Sequence, residues 1–272
     1  MSREIITSRQ NPTVKLVCSL LRKKEREETG LFRFDGIKLL EEAKEKGVEI
    51  EFVVVSEQRI KDMGSSLEDG DRVVVVPDEL FMKMSDEKSP EGVITVAKAL
   101  DKINKIATIN NKGQNLPIPE ESERVLLLES VRDPGNLGTV VRTAAALGID
   151  RLVVSHDCAD LYNPKTIRAA MGALFTMRID VVGAELPEYV RALRTAGRRV
   201  LGAALHTDAL TLGEFEVDRR DIFVIGNEGH GLSDDIKKAC DACVLIPMRE
   251  GSESLNAAMA AGIFMWETSR AK

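Results

Sequence analysis

From residue 125 onward the chain alternates short, uninterrupted apolar runs with longer helical segments, and no other feature constrains the fold as strongly. The runs are 125–128, 152–155, 177–182, 200–204, 222–225 and 243–246, and the helical stretches are 137–147, 164–174, 186–196, 232–239 and 254–268. A strand apolar at successive positions has no face left for water, so its sheet must be covered on both sides. Parallel strands joined by crossover helices meet that demand. In such sheets ligands sit at the carboxyl ends of the strands, so the loops leaving them are where chemistry is to be sought.

The first hundred residues read as a smaller α/β unit. A basic amphipathic helix is predicted over 11–26, with Val14, Val17, Leu20 and Leu21 on one side, and a second over 36–47. The β-branched runs 51–55, 72–76 and 93–97 read as strands. Between the halves, 101–123 is rich in Asn, Lys, Glu and Pro and lacks a sustained period, which marks a linker. The expected division is a domain over 1–104, a linker over 105–123 and a domain over 124–272.

Charge narrows the partners. The whole chain carries −6, yet residues 1–38 hold nine basic against five acidic side chains, a local +4 that leaves −10 elsewhere. A uniformly cationic surface is excluded, whereas a basic head can meet a polyanion locally. Arg9, Lys15, Arg22, Lys23, Lys24 and Arg33 are the candidate phosphate contacts. An apolar secretory segment is not apparent at the start, and the apolar stretch 255–266 falls short of the ~20 residues of a membrane helix. Four cysteines (Cys18, Cys158, Cys240, Cys243) form no disulfide framework. Cys240 and Cys243 stand alone as a C-x-x-C without histidines at zinc spacing, so no metal is expected and the default setting is a reducing cytoplasm.

Three strand-to-helix loops are unusual. In the first, Asp133-Pro134-Gly135-Asn136 is a turn that can cap the following helix, which carries Arg142 two turns on. In the second, a strand ends at Gly226 and Gly229 and Gly231 follow, letting backbone come close to a ligand, while Glu228 opposes simple phosphate binding. In the third, Pro247 stops a strand, Met248 follows, and Ser254 or Asn256 can cap the C-terminal helix. Each loop also has a purely structural reading as a capped helix or tight turn. The glycine spacing is not that of a dinucleotide fingerprint, and neither a P-loop nor a nucleophile elbow is present. At 4% aromatic residues, a stacking platform for bases is disfavoured.

Taken in order, the loops resemble those of the SpoU (TrmH-type) 2′-O-ribose RNA methyltransferases of the SPOUT superfamily. Asp133-Pro-Gly-Asn-Leu-Gly-Thr-Val-Val-Arg142-Thr-Ala resembles the first family motif, Ile225-Gly-Asn-Glu228-Gly the second, and Ile246-Pro-Met with Ser254-Leu-Asn256 the third. Asn163-Pro-Lys-Thr-Ile-Arg168-Ala-Ala-Met-Gly172-Ala resembles a segment between the first two. Ser8-Arg-Gln-Asn11-Pro-Thr-Val-Lys15 and Gly30-Leu-Phe-Arg-Phe-Asp-Gly36 resemble the L30e-like substrate-binding domain often placed ahead of the catalytic one. Two positions depart from the pattern: Gly251 falls one residue late in the third motif, and Ala170 stands where relatives often have Ser.

The resemblance implies an α/β chain with a C-terminal parallel-sheet domain tied in a trefoil knot, behind a smaller L30e-like α/β domain. It implies S-adenosyl-L-methionine held by Gly226, Ile246, Met248 and Leu255, and a homodimer formed through the C-terminal domain. It further implies that Arg142 meets the ribose 2′-hydroxyl or an adjacent phosphate of structured RNA, ribosomal rather than transfer RNA, with Asn136, Glu228, Ser254 and Asn256 orienting the reactants. Two alternatives remain at this level: a non-catalytic RNA-binding protein of the same fold, and a Rossmann-type nucleotide-dependent enzyme.

Overall fold

A computed structural model describes residues 2–63, 66–68, 70–106, 117–206, 208–249 and 254–271. The chain divides into two compact units, Met1–Leu100 with Asp160–Phe175, and Asp101–Ala159 with Thr176–Lys272.

The first unit is built on a five-stranded mixed sheet of β1 (Ser2–Ile5), β2 (Leu31–Asp35), β3 (Ile50–Ser56), β4 (Arg72–Val76) and β5 (Val93–Lys98), in the order β1-β4-β3-β5-β2. Strands β1, β3 and β4 run parallel, and β5 is antiparallel to both β2 and β3. The basic segment expected as one helix is two, α1 (Pro12–Ser19) and α2 (Lys23–Thr29), because Arg22 is extended between them. Asn11 caps α1, its side chain accepting the Thr13 amide. Helices α3 (Ile37–Glu45) and α4 (Asp78–Met84) complete the unit's first hundred residues. Apolar side chains of α1, β3, β4, β5 and α4, among them Val14, Val17, Val54, Val74, Phe81 and Ile94, close its core.

The boundary expected at a single linker is more complex. Helix α6 (Pro164–Ala170) and a 3-10 turn over Met171–Phe175 belong to the first unit although Asp101–Ala159 of the second unit intervenes in sequence. Phe175 lies 5.3 Å from Phe34 and Tyr162 4.6 Å from Phe32, ring to ring, and Glu42 accepts the Gly172 amide at 2.7 Å. Aromatic burial, invisible to local pattern, decides this assignment. Of the expected linker, residues 103–106 form a strand and 107–116 lie outside the described residues.

The second unit is an eight-stranded sheet in the order β11-β13-β10-β12-β7-β8-β9-β6, and every strand pair is parallel. Its strands are β6 (Ile103–Ile106), β7 (Val125–Leu128), β8 (Arg151–Ser155), β9 (Arg178–Val182), β10 (Val200–Ala203), β11 (Leu210–Thr211), β12 (Ile222–Ile225) and β13 (Ala242–Leu245). Helices α5 (Pro134–Ala146), α7 (Leu186–Thr195), α8 (Asp234–Ala239) and α9 (Ala257–Arg270) follow β7, β9, β12 and β13. β7 and β12, apolar throughout, are buried at every position, as two-sided cover requires. Edge strands β6 and β11 escaped the sequence reading. They are four and two residues long and half-exposed, so they carry no sustained apolar run.

Candidate active site

β7 and β12 are neighbours, and β13 lies one strand beyond β12, past β10. All run parallel, so the loops leaving their carboxyl ends emerge on the same edge of the sheet. Those are the three loops singled out by sequence.

Their polar side chains form one connected chain. Glu228, on the β12 loop, accepts hydrogen bonds from the Asn136 side-chain amide at 2.9 Å and from the Arg132 and Asp133 main-chain amides at 3.3 Å each. The Asn136 carbonyl oxygen accepts in turn from the Asn256 amide at 2.9 Å. Partial burial pushes the Glu228 carboxyl up, but these donors, Asn136 foremost, outweigh it and hold the group below the ordinary carboxylate value. Glu228 is therefore ionised at neutral pH.

The two asparagines owe their places to helix ends. Asp133 caps α5, accepting the Asn136 amide at 2.8 Å, and Pro134 opens the helix without needing a donor. Of the two residues able to cap α9, Asn256 does so, its carbonyl oxygen facing the Ala258 and Met259 amides. Asn136 meets Asn256 near the helix starts, and Thr143 lies beside Gly262 further along, so α5 and α9 run side by side in the same direction. Arg142 is exposed on α5, and among the described residues no ion pair or hydrogen bond engages its guanidinium.

Beside this chain lies an apolar cleft of about 110 Å³, lined by Ala203, Ala204, Leu205, Val244, Ile246, Met248, Ser254 and Leu255, among others. Leu205 is 63% and Leu255 40% exposed, an arrangement that leaves apolar surface open at the sheet's carboxyl edge. Three of the four residues assigned to the cofactor, Ile246, Met248 and Leu255, line the cleft together with Ser254. Gly226 does not line it. A Cβ there would lie 2.3 Å from the Gly231 carbonyl carbon and 2.5 Å from the Leu232 amide nitrogen, so this glycine lets the turn fold back against its own strand end. Gly251, the displaced glycine of the third loop, lies outside the described residues.

The basic candidates divide. Arg9, Lys15, Arg22, Lys23 and Lys24 are exposed, with Arg22 paired to Glu25 and Lys24 to Glu28 along α2. Arg33 is fully buried and offers nothing to a polyanion. It donates to both oxygens of Asp35 and to the Met84 carbonyl at 2.7 Å. Its alternation with Phe32 and Phe34 on a strand buried on both faces is the physical reason. The cysteines are free, and burial pushes the Cys240 thiol up to about 12, so it is inert as a thiolate. Among the described residues no helix is long and apolar enough to cross a membrane, and no cluster of metal-ligating side chains occurs.

Other hydrogen bonds that shape these loops had no sequence signal. Asn227 donates to the Ser130 carbonyl at 2.7 Å and accepts the Gly229 and His230 amides, which shapes the turn carrying Glu228. Glu129 holds both the amide and the hydroxyl of Ser233 at the start of α8.

Residues 123–266 match the SpoU rRNA Methylase family and residues 11–95 the MRM3-like substrate binding domain. The chain is 35% identical over 262 residues to the 23S rRNA (guanosine(2553)-2′-O)-methyltransferase RlmP of Bacillus subtilis strain 168, covering 96% of this chain and 97% of that protein. It superposes on the AdoMet-bound rRNA methyltransferase from Sinorhizobium meliloti with a TM-score of 0.80 at 28% identity over 98% of each chain. For the SpoU methyltransferase AviRb of Streptomyces viridochromogenes in complex with AdoMet, the TM-score is 0.77 at 27% identity, over 96% of this chain and 98% of that one.

Proposed function

The chain belongs to the SpoU rRNA methylase family, and we propose that it transfers a methyl group from S-adenosylmethionine to a ribose 2′-hydroxyl of ribosomal RNA. One observation carries the reading: the Glu228–Asn136–Asn256 hydrogen-bond chain joins three loops beside an apolar cleft.

The residues present fit the cofactor. The small and aliphatic side chains Ala203, Ala204, Leu205, Ile246 and Leu255 offer a flat apolar bed for an adenine ring, held between loops rather than by side-chain charge. Ile246, Met248 and Leu255 would hold it, and when bound it supplies an electrophilic methyl group on a sulfonium. The ionised Glu228 adds a charge of favourable sign for that sulfonium in the same loop cluster.

A ribose hydroxyl is a poor nucleophile until its proton leaves. Arg142 presents its guanidinium to solvent, and a guanidinium is suited to stabilise the developing alkoxide electrostatically. Asn136 and Asn256, each fixed by a helix start and by one another, orient the ribose, and Ser254 does so from the cleft wall. Fixing both reactants in line supplies much of the rate. The basic side chains of Arg9, Lys15, Arg22, Lys23 and Lys24 make phosphate contacts that position folded RNA.

The same reading includes a trefoil knot in the second unit, a cytoplasmic setting and a homodimer through that unit. The dimer is supported by exposed apolar side chains on α9, where Met259 and Trp266, two turns apart, are 62 and 52% exposed. Arg142→Ala should abolish methyl transfer to transcribed 23S rRNA and leave S-adenosylmethionine binding, measured by calorimetry, nearly intact. An unaltered rate would overturn the role of Arg142.

A further inference from the structure

The segment that delivers Asp133 and Asn136 to Glu228 begins at Ser130, a non-glycine residue with φ of 56°. Serine adopts that left-handed conformation only where its surroundings fix it. Here they do so from both sides. The Asn227 side chain donates to the Ser130 carbonyl. Opposite, the Ser130 amide donates to Ser155 Oγ at 2.8 Å, and the Ser130 hydroxyl donates to Asp157 Oδ2 at 2.6 Å.

Asp157 organises that second side. Its Oδ1 accepts the Ser155 hydroxyl at 2.6 Å, and Oδ2 also accepts from the Arg132 guanidinium at 3.1 Å. A hydroxyl has one proton to give. Because the Ser155 hydroxyl donates its hydrogen bond to Asp157, the Ser155 oxygen is left as an acceptor for the Ser130 amide. The carboxylate thus commits both serines at once and tethers the side chain two residues further along the loop.

We infer that Asp157 is a positioning residue for methyl transfer, acting through Ser130 and Ser155 to lock the turn that brings Asp133 and Asn136 onto Glu228. The inference rests on the methyltransferase reading of the site. Partial burial pushes the Asp157 carboxyl up, but the two serine hydroxyls and Arg132 outweigh it and bring it down to about 2, so the acceptor is permanently ionised at neutral pH.

The test is a double-mutant cycle on the full chain, with methyl transfer to transcribed 23S rRNA, calorimetric S-adenosylmethionine binding and thermal melting as readouts. Asp157→Asn keeps the shape but loses one acceptor oxygen. It should lower kcat by about tenfold to a hundredfold, with the S-adenosylmethionine Kd held within about twofold. Ser130→Gly accepts the left-handed turn without help, so adding Asp157→Asn to it should cost little more in kcat. An unchanged kcat in Asp157→Asn overturns the inference. So does an undiminished loss in the glycine background, or a Kd that rises as far as kcat falls. Should Asp157→Asn fail to fold, Ser155→Ala removes the acceptor of the Ser130 amide and must show the same glycine-suppressed loss, with a wild-type kcat overturning the idea. A wild-type chain that methylates no ribosomal RNA overturns the methyltransferase reading and this inference with it, whereas an active wild type with an indifferent Asp157 overturns the inference alone.

Discussion

Glu228 shows how much one side chain can decide. Its two oxygens serve the Arg132 and Asp133 amides, the Asn136 side chain and, at 3.4 Å, Asn227. In Glu228→Gln an –NH₂ group must face one of these donors, so about 1 kcal/mol of loop stability and about tenfold in kcat should be lost. Chemical denaturation and methyl-transfer rates check the two halves of that statement. The pH sign follows from the lowered carboxyl: its stabilising contribution is complete above the ordinary carboxylate range and disappears as pH falls through the depressed folded value. The wild type should therefore keep this contribution at mildly acidic pH, and the glutamine variant should lack that part of the acid dependence. The sequence made Glu228, Asn136 and Asn256 visible because they stand beside Gly, Pro and cap positions with local signatures. Asp157 stands in a turn after β8 with no such signature, and its partner Ser130 is 27 residues away. Arg33 misled for the opposite reason: its local neighbourhood is basic, while its strand is buried on both faces.

At the level of elements, the β12 turn is the tightest feature of the site. Gly226→Ala would drive a methyl group into main-chain atoms of Gly231 and Leu232, which cannot rotate away as a side chain could. The turn must open, and a loss of about 3 kcal/mol or more is expected in denaturant titration. Gly229 is the internal control. Its nearest neighbour to an added Cβ is Asn227 Oδ1 at 3.6 Å, an ordinary contact, so Gly229→Ala should stay within about 0.5 kcal/mol of wild type. Most strands and helices were legible from apolar runs and caps to within a few residues. The elements that were not legible are short, namely β1, β2, α4, β6, β11 and the break between α1 and α2, and none of them carries a sustained period.

For the whole molecule, the exposed apolar side chains of α9 bear on assembly. For the proposed homodimer, Met259→Glu with Trp266→Glu should leave the fold intact and shift the chain to a monomer in light scattering, with methyl transfer lowered in parallel. A dimer that survives both charges would place the interface elsewhere. By itself the sequence determined the class of each half, the all-parallel second sheet and the identity of the three loops, since period, composition and cap chemistry are properties of neighbouring residues. Tertiary structure alone decided that Asp160–Phe175 joins the first unit. It also decided that Arg33 is sealed inside, that Gly226 packs against the turn at Gly231 and Leu232, and that Asp157 meets Ser130. Each of those depends on which distant surfaces come into contact, and burial and hydrogen bonding across long sequence separations leave no periodic trace in the chain.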